Sequence, residues 1–403
     1  MNEEAALSGQ AGFGEFVALM AFAMSLVALS IDAMLPAFPD MTLDLQVAGA
    51  NDIQLVISLL LIGLAIGQLF YGPLSDSIGR KPAIYMGFAL FIAGSLLSLV
   101  AVNFYLMLAG RLLQGIGAAG PRTVSVALIR DRFHGSEMAQ VMSFIMTVFI
   151  LVPIFAPALG QGILLLAGWR AIYGSFVVLA IMTMLWLGLR QAETLPREKR
   201  KPFTLFNIKA AFRDVIRNRI TVVYMLVAGC VSAAFLGYLN SSQQIFQVQY
   251  ELGGQFPLYF AILAFAVGCA ALVNSQMVMR FGMHALANWA LRLLMVLCWL
   301  FLFLVWWHAG HPPLWLFMSI CFAMFFFIGV LFGNLNSIAM EPMGHVAGTA
   351  AAVIGSFTTM MAVALGYFIG RAYDGSLWPM ALGFVGLITV SVLLTKMVEL
   401  PER

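Results

Sequence analysis

Charge is what this chain has least of. Its 403 residues include 21 Lys+Arg and 18 Asp+Glu, 10% in all, against 62% hydrophobic residues. With a mean hydropathy of +0.96, such a chain reads as a membrane protein with many spans, not as a soluble domain. Cysteine is also scarce. Cys230, Cys269, Cys298 and Cys321 sit in apolar runs with no CxxC spacing and no histidine beside them. That argues against a disulfide framework or a metal site and leaves small buried thiols. His134, His284, His308, His311 and His345 are scattered near loops, and neither HExxH nor GxSxG occurs. No catalytic residue, metal or cofactor is therefore expected, an intramembrane enzyme is disfavoured, and no filter-like segment suggests a channel. The net charge of +3 does not point to nucleic acid, because the cations cluster in loops. The opening residues carry Glu3 and Glu4, and the first apolar run is too long for an h-region, so no cleavable leader is expected.

What is present is a series of apolar runs, each of the roughly 20 residues that cross a bilayer as a helix. They fall near 15–37, 52–72, 83–101, 104–129, 138–164 and 168–189, then near 220–245, 256–279, 286–308, 313–339, 346–370 and 376–397. Twelve spans in two sets of six predict an all-α membrane protein. The expected division is a bundle over 1–189, a linker over 190–219 and a second bundle over 220–403. The linker carries Arg190, Arg197, Lys199, Arg200, Lys201, Lys209, Arg213, Arg217 and Arg219, and reads as a solvated segment. Basic loops stay cytoplasmic, so both termini are expected inside. Arg80, Lys81, Arg130, Arg132 and Arg280 fall on the same side, and only Arg170 and Arg371 on the other. A six-plus-six layout suggests related halves with a pathway between them. The internal repeat is weak: Ile78-Gly79 can be laid over Phe281-Gly282, and little else matches.

One acid breaks the pattern. Asp32, in S-I-D-A-M-L-P-A-F-P (Ser30–Pro39), lies deep in the first span, whereas the other seventeen lie in or near loops. A carboxylate in hydrocarbon is costly and defaults to a functional reading. Arg111 in the fourth span lies at a similar depth. It either shares a cavity with Asp32 or only ties helices together. Arg122 follows Pro121 in the same span; it is either a second cavity cation or snorkels towards the inner face. Pro121 itself should free a backbone carbonyl and kink the helix. Asn240, Ser241, Ser242, Gln243 and Gln244 cluster in span seven, as a water-lining break or as helix-to-helix glue. Gln54, Ser58, Gln68 and Gln114, with Asn334 and Asn336 beside Gly333, invite the same two readings. Met142, Phe235 and Tyr238 are candidates for lining an apolar cavity. Between spans two and three, G-P-L-S-D-S-I-G-R-K (Gly72–Lys81) sets Asp76 four residues before Arg80, with Asp131 the natural partner for Arg80 at the end of span four.

That decapeptide resembles the loop signature of the major facilitator superfamily. R-L-L-Q-G-I-G-A-A-G (Arg111–Gly120) is similar to its span-four motif, and P-I-F-A-P-A-L-G-Q (Pro153–Gln161) to the span-five motif of antiporters. The Ser30–Pro39 segment, G-W-R-A-I-Y (Gly168–Tyr173) and A-M-E-P-M-G-H-V-A-G-T-A (Ala339–Ala350) resemble the bicyclomycin-resistance (Bcr/CflA) type of drug:proton antiporter. This copy of the span-five motif has Pro153 and Pro157 with only Gly160 and Gly162. The resemblance implies two six-helix bundles around a central cavity in a bacterial inner membrane. It also implies proton-coupled efflux of small, mostly apolar compounds by alternating access. The alternative is an exporter or importer of a specific metabolite or siderophore, acidic if Arg111 and Arg122 are its ligands. On this resemblance Asp32 and Arg111 couple protons, and Gly72, Asp76, Gly79, Arg80 and Asp131 latch one side. The expected partners are a small-molecule substrate, protons and lipid, with the proton gradient in place of a cofactor and a monomer as the working unit.

Overall fold

The structure, a computed structural model, describes residues 12–49, 51–200, 202–203 and 205–399. Among these residues there is no β-strand, and fourteen α-helices follow one another. In the first half they are α1 (Phe13–Asp32), α2 (Phe38–Asp44), α3 (Leu55–Ile78), α4 (Arg80–Leu99), α5 (Phe104–Arg132), α6 (Gly135–Ala167) and α7 (Trp169–Arg190). After α8 (Leu205–Arg217) come α9 (Arg219–Gln243), α10 (Phe256–Phe281), α11 (Met283–Trp307), α12 (Leu314–Met340), α13 (Ala347–Arg371) and α14 (Trp378–Glu399). Twelve stretches are long and apolar enough to cross a membrane, with α1 and α2 forming one and α8 none. The twelve-span, all-α fold is the one the apolar runs predict.

The helices end where the sequence removes a donor or demands an unusual backbone angle. Pro36 has no N–H to give the Asp32 carbonyl, so α1 stops at Asp32 and the chain continues as a short 3-10 turn, Leu35–Ala37. Gly79, at φ +109°, separates α3 from α4, a conformation that any Cβ would strain. Gly282 does the same between α10 and α11 at φ +77°, so the faint correspondence of Ile78-Gly79 with Phe281-Gly282 is a shared helix break. Pro121, Pro153 and Pro157 lie inside α5 and α6, which run on as single helices through them. The Pro121 ring lies against Gly87 of α4, where no side chain stands in the way.

The chain forms two compact units. The first comprises 1–40, 44–46 and 59–205; the second comprises 41–43, 47–58 and 206–403. In the first, α4 and α5 pack with their backbones close, Gly94 against Gln114 and Gly117 against Phe91, the small-residue contact typical of helices in lipid. The second takes in residues 47–58 through polar contacts of Asn51 and Gln54. Within the basic linker, α8 occupies the second half, with Ala211 and Val215 buried and Phe212 and Ile216 exposed.

Candidate functional site

Within the first unit, the conspicuous residues of the sequence converge on the end of α1. A helix terminus leaves backbone carbonyls without intrahelical donors, and Arg111 takes one of them: its Nη2 donates to the Ser30 carbonyl at 2.9 Å. Its Nη1 donates to Gln114 Oε1 at 2.5 Å. Gln114 Nε2 then donates to Ser95 Oγ at 2.8 Å, and Ser95 Oγ to the Phe91 carbonyl at 2.7 Å. The guanidinium carbon stands 5.9 Å from the Tyr173 ring centre, and Tyr173 OH reaches Met34 Sδ at 4.0 Å. One fully buried arginine thus links α1, α4, α5 and α7.

Asp32 stands apart from this network. It is 5% exposed and makes no hydrogen bond or ion pair with any described residue, Arg111 included. The backbone of α6 closes on the next residue, Ala33, through Gly160, where a Cβ would collide with the Ala33 carbonyl oxygen. Pro157, one turn earlier, is buried; Pro153 and Met142 on the same helix are half-buried. Arg111 at Ser30, Gly160 at Ala33 and Tyr173 at Met34 therefore surround the four residues around the carboxyl. Arg122 lies eleven residues beyond Arg111 on α5. It is half-buried and has no hydrogen bond or ion pair with any described residue.

The opposite end of the first unit holds the Gly72–Lys81 segment, helical except at Gly79. Arg80, 4% exposed, is satisfied three times. Its Nε donates to Asp131 Oδ2 at 2.8 Å, and its Nη1 donates to Asp76 Oδ1 at 2.6 Å and to Ser75 Oγ at 2.7 Å. Thr194 Oγ1 adds a bond to Asp131 at 3.2 Å. Glu193, which the sequence did not single out, accepts from the backbone N–H groups of Arg80 at 2.9 Å and Lys81 at 3.0 Å. These are free donors at the start of α4, where an anion is favoured. A Cβ on Gly79 would press on the Glu193 carboxylate and the Arg200 guanidinium, whereas one on Gly72 would meet nothing within 4 Å. The second unit carries a weaker counterpart: just past Gly282, His284 Nε2 lies 2.9 Å from Glu341 Oε2 at the end of α12.

In the second unit the amides mostly bind one another. Gln54 Nε2 donates to Gln244 Oε1 and to the Gly370 carbonyl, both at 3.1 Å, and Gln244 Nε2 donates to Asn51 Oδ1 at 2.7 Å. Asn51 in turn caps the carbonyls of Arg371 and Tyr373. Asn240 donates to Gly366 at 3.3 Å, and Ser58 to the Gln54 carbonyl at 3.3 Å. After Gln243 the helix widens into a π-turn over Gln244–Gln249. Asn334 is buried and donates to Asn274 Oδ1 at 2.6 Å, whereas Asn336 is exposed. Tyr238 is buried between Phe325 and Phe260, with half-buried Phe235 beside them. Asn51, Asn274, Ser95 and Tyr173 were not legible as partners, because each bond joins residues distant in sequence.

Twelve apolar spans in two helical units, with a lone unpaired carboxyl inside one span, define a membrane transporter. The chain belongs to the major facilitator superfamily, whose description it matches over residues 20–370. It is 30% identical over 358 residues to the uncharacterized MFS-type transporter YdgK of Bacillus subtilis, covering 87% of this chain and 88% of that one. It is 28% identical to a bicyclomycin resistance protein homolog of Haemophilus influenzae, covering 94% of each. A multidrug resistance protein MdtL of Salmonella paratyphi A is 28% identical over 93% of this chain and 90% of its own length. Among solved structures, the xylose transporter XylE of E. coli superposes with a TM-score of 0.70 at 12% identity, over 96% of this chain and 97% of that one. The human organic anion transporter MFSD10 does so with 0.69 at 17%, over 96% and 100%. At those identities the two structures speak to the fold alone.

Proposed function

We propose that the chain is a proton-coupled exporter of small, largely apolar compounds, acting by alternating access in a bacterial inner membrane with both termini cytoplasmic. The observation that carries this reading is Asp32. It is the one carboxyl deep in a span, and it is unpaired while the neighbouring arginine is bound elsewhere. A group that takes up and releases a proton in hydrocarbon has to be free of a permanent counter-charge. Its surroundings must also respond when the helices around it move. Arg111 and Gly160 place such contacts on both sides of Asp32. Outward transport is supported by relatives named for multidrug and bicyclomycin resistance. In this reading Asp32 exchanges its proton as substrate enters from the cytoplasmic side, and the Asp76–Arg80–Asp131 cluster holds one end of the cycle. The protein works as a monomer.

The test is proton release. Purified protein in weak buffer is challenged with a panel of antibiotics and dyes while pH is followed with an indicator. Compounds that bind should release protons from the native chain and not from Asp32→Asn. Equal release from that variant would remove Asp32 from the mechanism. A second reading, transport of an acidic metabolite, is favoured by one observation, the unpartnered Arg122.

A further inference from the structure

The first unit holds more positive than negative charge inside its spans. Asp32 is the only deep acid, and Arg111 and Arg122 are two deep cations. Arg111 is satisfied by Ser30 and Gln114; Arg122 is not. It lies ten residues, about 15 Å or almost three turns of helix, before the end of α5 at Arg132. Eleven residues on from Arg111 is about 20° off a whole number of turns. Arg122 therefore shares the face of α5 on which Arg111 meets α1. The faces of α5 that pack on α3 and α4 run through glycine and alanine instead, Gly115 on Leu60, Ala119 on Gly67 and Gly117 on Phe91.

Among the described residues, no acid of the unit pairs with it. Along α1 the only acid before Asp32 is Glu15, which is bound to Arg190 at 2.7 Å. Asp76 and Asp131 serve Arg80, and Glu193 serves the start of α4. Asp32 lies at the level of Arg111, about 16 Å further along. A half-buried guanidinium kept in a span without a counter-charge is expensive, and such residues mark ligand sites.

We propose that Arg122 is the binding site for an acidic group on the substrate, so that the transported class is amphiphilic monoanions: an apolar body with one carboxylate or comparable acid. This rests on the exporter reading and adds the head group to it. The planar fork of arginine takes both oxygens of a carboxylate. The surrounding apolar chain takes the remainder of the molecule. Acid binding and proton exchange then occur at separate points on the same face of α5.

The test uses matched probes on the purified full-length protein in nanodiscs. These are 2-naphthoate, 4-phenylbutyrate and decanoate, each beside its neutral amide and its amine, with binding read by tryptophan fluorescence and thermal shift. At least one acid should bind tenfold or more tighter than its amide and amine. Arg122→Gln should erase that preference, and Asp32→Asn should keep it. If Arg122→Gln does not fold, Arg122→Lys serves instead, and should weaken the acids several-fold while leaving the amides unchanged. No acid preference in the native chain, or a preference that survives these Arg122 variants, overturns the proposal. Acid preference without drug-driven proton release would leave the anion site standing and remove the coupling reading. Proton release without acid preference would do the reverse.

Discussion

Glu193 offers the sharpest test of how the Gly72–Lys81 segment is held. Its Oε1 accepts from the N–H of Arg80 and of Leu195, both at 2.9 Å, and its Oε2 from the N–H of Lys81 at 3.0 Å. Glu193→Gln keeps one carbonyl oxygen but turns the other acceptor into an NH2 group facing a backbone N–H. One charge-assisted bond is lost, about 1.5–3 kcal/mol when fully buried. The attraction of the carboxylate for the helix start, about 0.3–1 kcal/mol, is lost with it. Glu193 is half-buried, so the lower part of the range applies and the sum is about 2 kcal/mol. For a unit of this size that is a fall in melting temperature on the order of 4–8 °C. Differential scanning fluorimetry of the purified protein measures it, with the exposed Glu198→Gln as control. If the two variants melt together, Glu193 is not what fixes the start of α4.

Two further outcomes follow from the same geometry. Gly160→Ala should force α6 away from Ala33 and cost about 1–3 kcal/mol through overpacking, with transport falling in parallel. Gly162→Ala, where a Cβ meets nothing within 4 Å, should behave as the native chain in both melting and transport assays. If the transported species is a monoanion exchanged for one proton, each cycle moves two charges. A potential of about 100 mV then contributes about 4.6 kcal/mol, on the order of 10³ in accumulation. Valinomycin-clamped proteoliposomes loaded with the best-binding acid should show that dependence, and efflux indifferent to the potential would refute it.

The spans were legible because hydrophobic runs of bilayer length leave few alternatives, and the break at Gly79 because it falls between two runs; the stop before Pro36 was not, since the first run continues to residue 37. The Arg80–Asp76 pair was legible from i,i+4 spacing, and Asp131 from its place at the end of the fourth span. Glu193 was not, since an acid in a basic linker gives no sign that it caps a helix 113 residues earlier in the chain. The amide cluster illustrates the same limit. Gln54, Asn240 and Gln244 announce polar chemistry inside spans, but composition does not separate residues that face a ligand from residues that face each other. In the second unit Gln54 and Gln244 bind each other directly, and Asn240 ties α9 to Gly366 of α13.

Asp32 and Arg111 show how far depth alone reaches. Counting residues along two spans put both groups at one level, and they do share it, since the arginine bonds to Ser30 two residues before the acid. Counting gives no azimuth, however, and the two are not an ion pair. Arg111 instead donates to the Ser30 carbonyl in the last turn of α1. The guanidinium is thereby satisfied without the carboxylate. A permanent pair at this depth would hold Asp32 ionised throughout a cycle and leave it nothing to exchange. With Arg111 held by the backbone, any motion that shifts α5 against the end of α1 changes the field at Asp32 without first breaking a salt bridge. On the proposed exporter reading, coupling through the Ser30 carbonyl would make Arg111 a positioning group for a proton site at Asp32.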